Sequence, residues 1–185
     1  MLVMGIDPGN AITGYGLVNL DLTTEEMAYI NHDFIEDRKA KYPISLVYIT
    51  SRLASVFKEY SPDIVAIEGP KHVRGFKSHQ KQIELIGCIK RLLVSKNIPF
   101  VEIEPSSMKR IVVGNGHASK EEVAIALSER FGIPFEKIVR VDYYKSGKKV
   151  GQIRSYTLDG SDALGLAVAF PKYYAEFKKL DFKGV

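Results

Sequence analysis

A chain of 185 residues is long enough to bury a full hydrophobic core without staples, and a single domain over 1–185 is the expectation. Its one cysteine, Cys88, excludes a disulfide framework and a cysteine metal cluster, reads as core, and points to a reducing, cytoplasmic setting. The longest apolar run, Ala163 to Phe170, is far shorter than the roughly 20 residues of a membrane span, the first residues lack signal-peptide character, and the formal charge of +4 is modest but unevenly spread.

Met1 to Ile6 reads as a short apolar strand, after which Asp7-Pro8-Gly9-Asn10 turns the chain and leaves Asp7 at the strand tip. Thr13 to Leu20 and Met27 to Glu36 follow closely enough, through Asp21-Leu22-Thr23-Thr24, to form an antiparallel meander with it. Between Tyr42 and Tyr60 apolar residues recur at Leu46, Ile49, Leu53, Val56 and Phe57, the repeat of an amphipathic helix. Asp63 to Pro70 then repeats the opening arrangement, an apolar strand ending in Glu68 before the breaker pair Gly69-Pro70. If these strands are neighbours in one sheet, Asp7 and Glu68 emerge side by side at its edge.

From Lys71 to Lys81 the chain carries Lys71, His72, Arg74, Lys77, His79 and Lys81 without an acid. Ser78 to Lys96 has helical periodicity, with Ile83, Leu85, Ile86, Ile89, Leu92 and Leu93 spread over more than one face, so this helix lies in the core or meets a partner. Pro99 to Ile103 is a further short strand, and Pro105-Ser106-Ser107 starts a helix. Ser119-Lys120-Glu121-Glu122 has the form of a capping box, with Ser119 as N-cap of a helix through Phe131. Lys120 then falls in the first turn, where the helix dipole disfavours a cation, which hints at a role outside local stability.

Alternation from Val139 to Tyr156 around Lys145-Ser146-Gly147-Lys148 predicts a β-hairpin arm. Lys137, Arg140, Lys145, Lys148, Lys149 and Arg154 make it basic against the single Asp142, and Tyr143, Tyr144 and Tyr156 are interleaved, a composition suited to phosphate neutralisation with groove or stacking contacts. Either basic run, taken alone, is equally an ordinary solvated face. Asp159 and Asp162, spaced i, i+3 at the head of a helix Ala163 to Phe177, can project from one face.

Each acid has a local explanation by itself: Asp7 as a turn residue, Asp159 as a helix N-cap, Asp162 as a complement to the helix dipole. Glu68 is harder to dismiss, since a charge ending a buried-type strand must be paired or neutralised. Together they form a hard, oxygen-only set that suits Mg²⁺ or Mn²⁺ and argues against zinc. Two such ions roughly 3.5 to 4 Å apart would relieve the mutual repulsion and stabilise attacking water and leaving oxygen in phosphodiester hydrolysis.

Gly5-Ile6-Asp7-Pro8-Gly9 with Thr13-Gly14-Tyr15-Gly16, Ala66-Ile67-Glu68, Val112-Val113-Gly114 through Lys120, and Asp159-Gly160-Ser161-Asp162-Ala163-Leu164 together resemble the RuvC family of Holliday junction resolvases, in the family's order and over most of the chain. The resemblance implies an α/β, RNase H-like fold with a mixed five-stranded sheet flanked by helices. It also implies a cytoplasmic, nucleoid-associated homodimer, two divalent metals per active site, and paired symmetric nicks across a four-way DNA junction, with a branch-migration motor as a candidate partner. Residue by residue, Asp7, Glu68, Asp159 and Asp162 match the metal-binding acids. Lys109 and Lys120 match two functional lysines, of which Lys120 approaches the scissile phosphate. The helix containing Gly87 and Ile89 falls where the family dimerises.

Two departures bear on DNA contact. Gly69-Pro70-Lys71 stands where the family places an aromatic after the second acid, so Phe76, flanked by Arg74 and Lys77, is the candidate wedge between bases, or else an anchor of its loop. The arm, Arg140 to Tyr156, is longer than the family's corresponding link, and its Lys145, Lys148 and Lys149 are expected to grip DNA beside the acids, with Lys71, Arg74, Phe76, Lys77, Lys109 and Lys120 as the other expected DNA contacts. Three other readings remain. An actin- or Hsp70-like ATPase shares the opening turn but needs a second lobe. Another RNase H-like nuclease, acting on branched DNA or RNA–DNA hybrid, would keep the acids. A non-catalytic junction-binding protein would have no need of them.

Overall fold

Five strands, of which the first and fourth are short apolar runs buried along nearly their whole length, assemble into one sheet. The structure, a computed structural model, describes residues 1–36, 41–70 and 76–174, the side chains of Phe76 and Ser78 excepted. Strands β1 (Leu2–Asp7), β2 (Ile12–Leu20) and β3 (Met27–Glu36) form the expected antiparallel meander. β4 (Ile64–Glu68) and β5 (Phe100–Ile103) add in parallel on the other side, giving the order β3-β2-β1-β4-β5. This mixed five-stranded sheet flanked by helices is the RNase H-like arrangement.

Strand alternation decides which helices each side chain meets. Met4, Ile6, Leu17, Val65 and Ile67 share one buried cluster with Ile49 and Leu53 of α1 (Ile44–Tyr60) and Leu85 and Ile89 of α2 (Phe76–Ser95). Val3, Val18, Ile64, Ala66 and Ile103 face the opposite way. There they pack with Met108 of α3 (Pro105–Val113), Val123 and Leu127 of α4 (Lys120–Phe131), and α6 (Asp159–Ala169). Asp7 and Glu68 continue the second of these two sets.

α6 is the centre of that second layer. Every residue from Gly160 to Ala169 is buried, so the helix is a core element on all sides. Leu164, Leu166, Val168 and Phe170 are each at most 3% exposed, and each contributes about 1.5 to 3 kcal/mol of apolar burial. The helix starts at Asp159, with Leu158 as N-cap, so Asp159 is its first residue and not its cap. Its α-helical run is interrupted after Ala169, where Pro171 has no N–H to offer the ladder and a 3₁₀ turn covers Phe170–Tyr173; the expected end at Phe177 lies outside the described residues.

The predicted hairpin arm exists as a two-stranded antiparallel sheet, β6 (Arg140–Tyr143) with β7 (Ile153–Thr157), and the turn residues between them are longer than the paired strands. A short helix that periodicity does not announce, α5 (Phe135–Ile138), leads into it after Pro134. Arg140 ties the arm to the sheet edge. Its guanidinium donates to Glu36 at 3.0 Å and to Thr157 at 3.0 Å, and lies 4.3 Å above the Phe34 ring. Among the described residues, no helix is long and apolar enough to cross a membrane. Cys88 is half-buried on α2 and not part of the core.

Candidate active site

The site is built on three glycines that carry no side chain where side chains are expected. Gly5 and Gly16 are cross-strand partners, and Gly14 is the partner of Asp7. All three face α6, and they let its backbone settle directly onto β1 and β2. A Cβ on Gly5 would stand 1.8 Å from the carbonyl oxygen of Ala163, and one on Gly14 would stand 1.9 Å from that of Asp159. This close approach sets the first turn of α6 over the tip of β1. Glycine inside a strand signals such contact, and Gly14 with Gly16 was the available clue in the sequence.

Glu68 comes to the same edge by sheet register. Ile6 pairs with Ile67 in the parallel ladder, and Asp7 and Glu68 are the next residues on the same face. Asp7 is 4%, Glu68 1% and Asp162 2% exposed. The loop after Asp7 is pinned by buried Thr13, whose hydroxyl donates to the Gly9 carbonyl at 2.9 Å and accepts from the Gly9 amide at 3.3 Å.

Lys120 enters from α4. The predicted capping box is present: the Ser119 hydroxyl accepts from the Glu122 amide at 3.1 Å, and the Glu122 carboxylate accepts from the Ser119 amide at 2.6 Å. These bonds, the Ser119 amide first and the charge of nearby Lys109 in smaller measure, hold the Glu122 carboxyl below its ordinary range. With the helix start fixed, the Lys120 ammonium reaches Asp162 Oδ2 at 2.5 Å, Asp159 Oδ1 at 3.4 Å and Asp7 Oδ2 at 3.5 Å. Burial alone would favour the neutral amine, but Asp7, then Asp162 and Asp159, outweigh it and keep the group charged far above the usual lysine range.

Three of the four predicted acids therefore converge on one cation, and Glu68 stands beside Asp7 in the sheet. Among the described residues, no three carboxylates or imidazoles are drawn tightly enough around one point to coordinate a metal as they stand. A cleft of about 290 Å³ opens over Asp7, Lys120 and Asp159, walled by Pro8, Gly9, Asn10 and Gln82. Gln82 comes from α2, and nothing in a polar residue of an amphipathic helix announced it. Lys109 lies half-buried on α3, outside the cluster.

The basic residues divide into two groups. Lys77, Lys145, Lys148 and Lys149 are exposed, the last three at the arm's tip, with the Lys149 ammonium 5.7 Å from the Tyr144 ring centre. A cleft of about 720 Å³, lined by Tyr143, Tyr144, Lys145 and Arg154, runs between the arm and Glu36 at the sheet edge. Lys71 and Arg74 lie outside the described residues. Phe76 opens α2 instead of sitting in a loop, and its side chain is not among those described.

Comparison with known proteins matches these features. The family described as Crossover junction endodeoxyribonuclease RuvC matches residues 3–134. The chain is 31% identical to the Crossover junction endodeoxyribonuclease RuvC of Cytophaga hutchinsonii over 96% of its own length and 80% of the relative's. With the protein of the same name from Chloroherpeton thalassium it shares 29% identity over 99% of this chain and 88% of that one. In fold it superimposes on the structure described as T. thermophilus RuvC in complex with Holliday junction substrate, with a TM-score of 0.72 and 22% identity over 96% of each chain. The sheet order, the acids gathered by α6 and the extent of these matches together mean that the chain belongs to the RuvC family of crossover junction endodeoxyribonucleases.

Proposed function

We propose that this chain, acting as one nuclease domain over 1–185, is an endonuclease that resolves four-way DNA junctions by paired symmetric nicks. The observation that carries the reading is the convergence of Asp7, Asp159 and Asp162 on one cation, with Glu68 beside Asp7. A set made only of carboxylate oxygens fits a hard divalent ion, and the ammonium is a stand-in: the acids already gather around positive charge. Asp7, Glu68, Asp159 and Asp162 would hold Mg²⁺, or Mn²⁺ in its place, with two ions per site. Bound there, the ions would supply Lewis-acid stabilisation of the attacking water and the leaving oxygen.

The chain's own residues do the rest. The α6–sheet contact holds the carboxylates in fixed relation, the cleft admits a phosphodiester beside Asp7 and Asp159, and Lys120 meets the charge that develops on the phosphate. Lys109 supports the same region from α3. Lys77 and the arm lysines Lys145, Lys148 and Lys149, joined by Lys71, Arg74 and Phe76, grip the DNA flanking the crossover.

A homodimer would present two such sites to a junction of matching two-fold symmetry. Ile83 and Val94 of α2 are exposed with Gly87 facing open space between them, and Ile44 and Val47 of α1 are exposed at 66% each. Tyr42 donates a hydrogen bond to Glu84, drawing the head of α1 onto α2, and this apolar face supports a two-fold contact. The protein would act on DNA in the cytoplasm, with a branch-migration motor as partner.

The deciding experiment incubates the protein and Mg²⁺ with labelled four-way, three-way, linear and RNA–DNA hybrid substrates, beside an Asp7→Asn variant. Symmetric nicking confined to branched DNA, reduced by more than about a hundredfold in Asp7→Asn while binding persists, is expected. Hybrid-specific degradation, or nicking that survives Asp7→Asn, would sink the reading.

A further inference from the structure

We propose that Lys120 is an exchangeable internal counter-ion: its ammonium occupies the centre of the acid cluster without metal, and metal loading expels it into the cleft, towards the phosphate. The inference rests on the reading that these acids hold divalent ions, and it concerns what must leave when they do.

Three carboxylates, two of them almost fully buried, cannot share a site without a compensating charge. Lys120 is the cation that meets all three at 2.5 to 3.5 Å. That spacing belongs to an ammonium. A Mg²⁺ ion requires oxygens at about 2.0 to 2.1 Å, so Asp7 and Asp159 must close in, and a –NH₃⁺ group bonded to Asp162 at 2.5 Å obstructs that closure. Ammonium and metal therefore compete for the same oxygens.

The fold allows the lysine to leave at little cost. Its backbone is held by the Ser119–Glu122 capping box, which involves neither the ammonium nor the acids. The side chain is already 39% exposed and lies on a flexible four-carbon stem, so rotation about its own bonds moves the charge into the cleft bounded by Asn10 and Gln82. Placing Lys120 in the first helical turn, where the dipole disfavours it, makes sense for a group that spends part of its cycle neutralising carboxylates and part meeting phosphate.

Two measurements on the full chain without DNA test the exchange. In the first, Mn²⁺ binding is titrated by loss of the free-ion EPR signal for the wild type and Lys120→Met. The variant is expected to bind at least tenfold more tightly and to be less heat-stable in EDTA. In the second, wild-type lysines are acylated in EDTA and in excess Mg²⁺ and quantified by mass spectrometry, with exposed Lys148 as internal reference. Lys120 should be protected in EDTA and modified several-fold faster with metal. This second readout needs no variant, and it separates exchange from a lysine that repels the metal without moving. Equal or weaker Mn²⁺ binding by Lys120→Met, or Lys120 protection unchanged by Mg²⁺, overturns the exchange while leaving the metal site standing. Absence of saturable Mn²⁺ binding in both proteins overturns the metal site and the exchange together.

Discussion

The α6–sheet contact and the 140–157 arm are consecutive in the chain and opposite in construction. In the first, backbone rests on backbone at Gly5, Gly14 and Gly16, and nearly everything is buried. In the second, two short strands carry exposed Tyr143 and Ile153, the turn between them carries exposed Val150 and a lysine-rich tip, and the arm is held to the sheet edge by Arg140 and to α5 by the edge-on packing of Tyr156 against Phe135. Only Leu158 separates β7 from the first acid of α6. A site that must hold carboxylates to fractions of an ångström belongs on the first kind of structure, and a surface that must follow a charged polymer belongs on the second. The family match, ending at residue 134, stops before the arm.

The largest effect should come from disturbing the tight region. Gly5→Ala sets a methyl against the Ala163 carbonyl, a backbone atom that cannot rotate away. We expect a loss of about 3 kcal/mol or more, seen as a fall in melting temperature on the order of 10 °C, with nuclease activity abolished at temperatures where the variant is still folded. A variant of wild-type stability would mean that α6 does not rest on the bare backbone of β1.

The arm should respond in the reverse manner. Replacing Lys145, Lys148 and Lys149 by alanine should shift the melting temperature by no more than about 3 to 6 °C, since surface substitutions rarely exceed about 0.5 kcal/mol each. It should weaken junction binding and flatten its salt dependence, by about 0.9 in log–log slope for each phosphate no longer neutralised. Unchanged affinity across a salt series would remove the arm from the DNA-binding surface.

Ser119→Ala probes the joint between stability and site. Loss of the cap should cost about 1 kcal/mol, and because it loosens the turn that carries Lys120, cleavage should fall by more than the small change in folded fraction explains. Cleavage that tracks folded protein alone would mean the cap serves only the helix.

The smallest effect is a pH dependence beside the arm. His32, between the Tyr29 hydroxyl at 3.0 Å and the Ile138 carbonyl at 2.8 Å, has its pKa lowered by burial, against the opposing pull of that carbonyl and of Asp33. A proton therefore binds the unfolded chain more readily than the folded one. The stability His32 contributes is fully present above its ordinary value of about 6.5 and is lost as pH falls through the lower folded value. Wild type should lose more stability between pH 8 and pH 5.5 than His32→Asn does; equal losses would exclude His32 as the source.

Much of this was legible in the chain. The strand meander, the capping box at Ser119 and Glu122, and the acids ending β1 and β4 follow from local rules of period, capping and turn chemistry, because each is decided by residues a few positions apart. The same rules placed the start of the last helix at Ala163 instead of Asp159 and passed over the break after Ala169, since periodicity alone did not weigh Pro171 against the apolar run around it. They announced neither α5 nor Gln82, whose importance comes from what lies opposite in space.

The sequence by itself determined which residues could form a metal-suited, oxygen-only site, because carboxylates without cysteine or paired histidines restrict the chemistry whatever the fold. Only the tertiary structure decided that Asp7, Asp159 and Asp162 meet, since that depends on α6 lying against bare glycine backbone some 150 residues away in sequence. It also decided that Lys120 stands among the acids and not apart from them. A buried cluster of like charges takes the nearest cation the fold can deliver, and the start of α4 delivers that lysine.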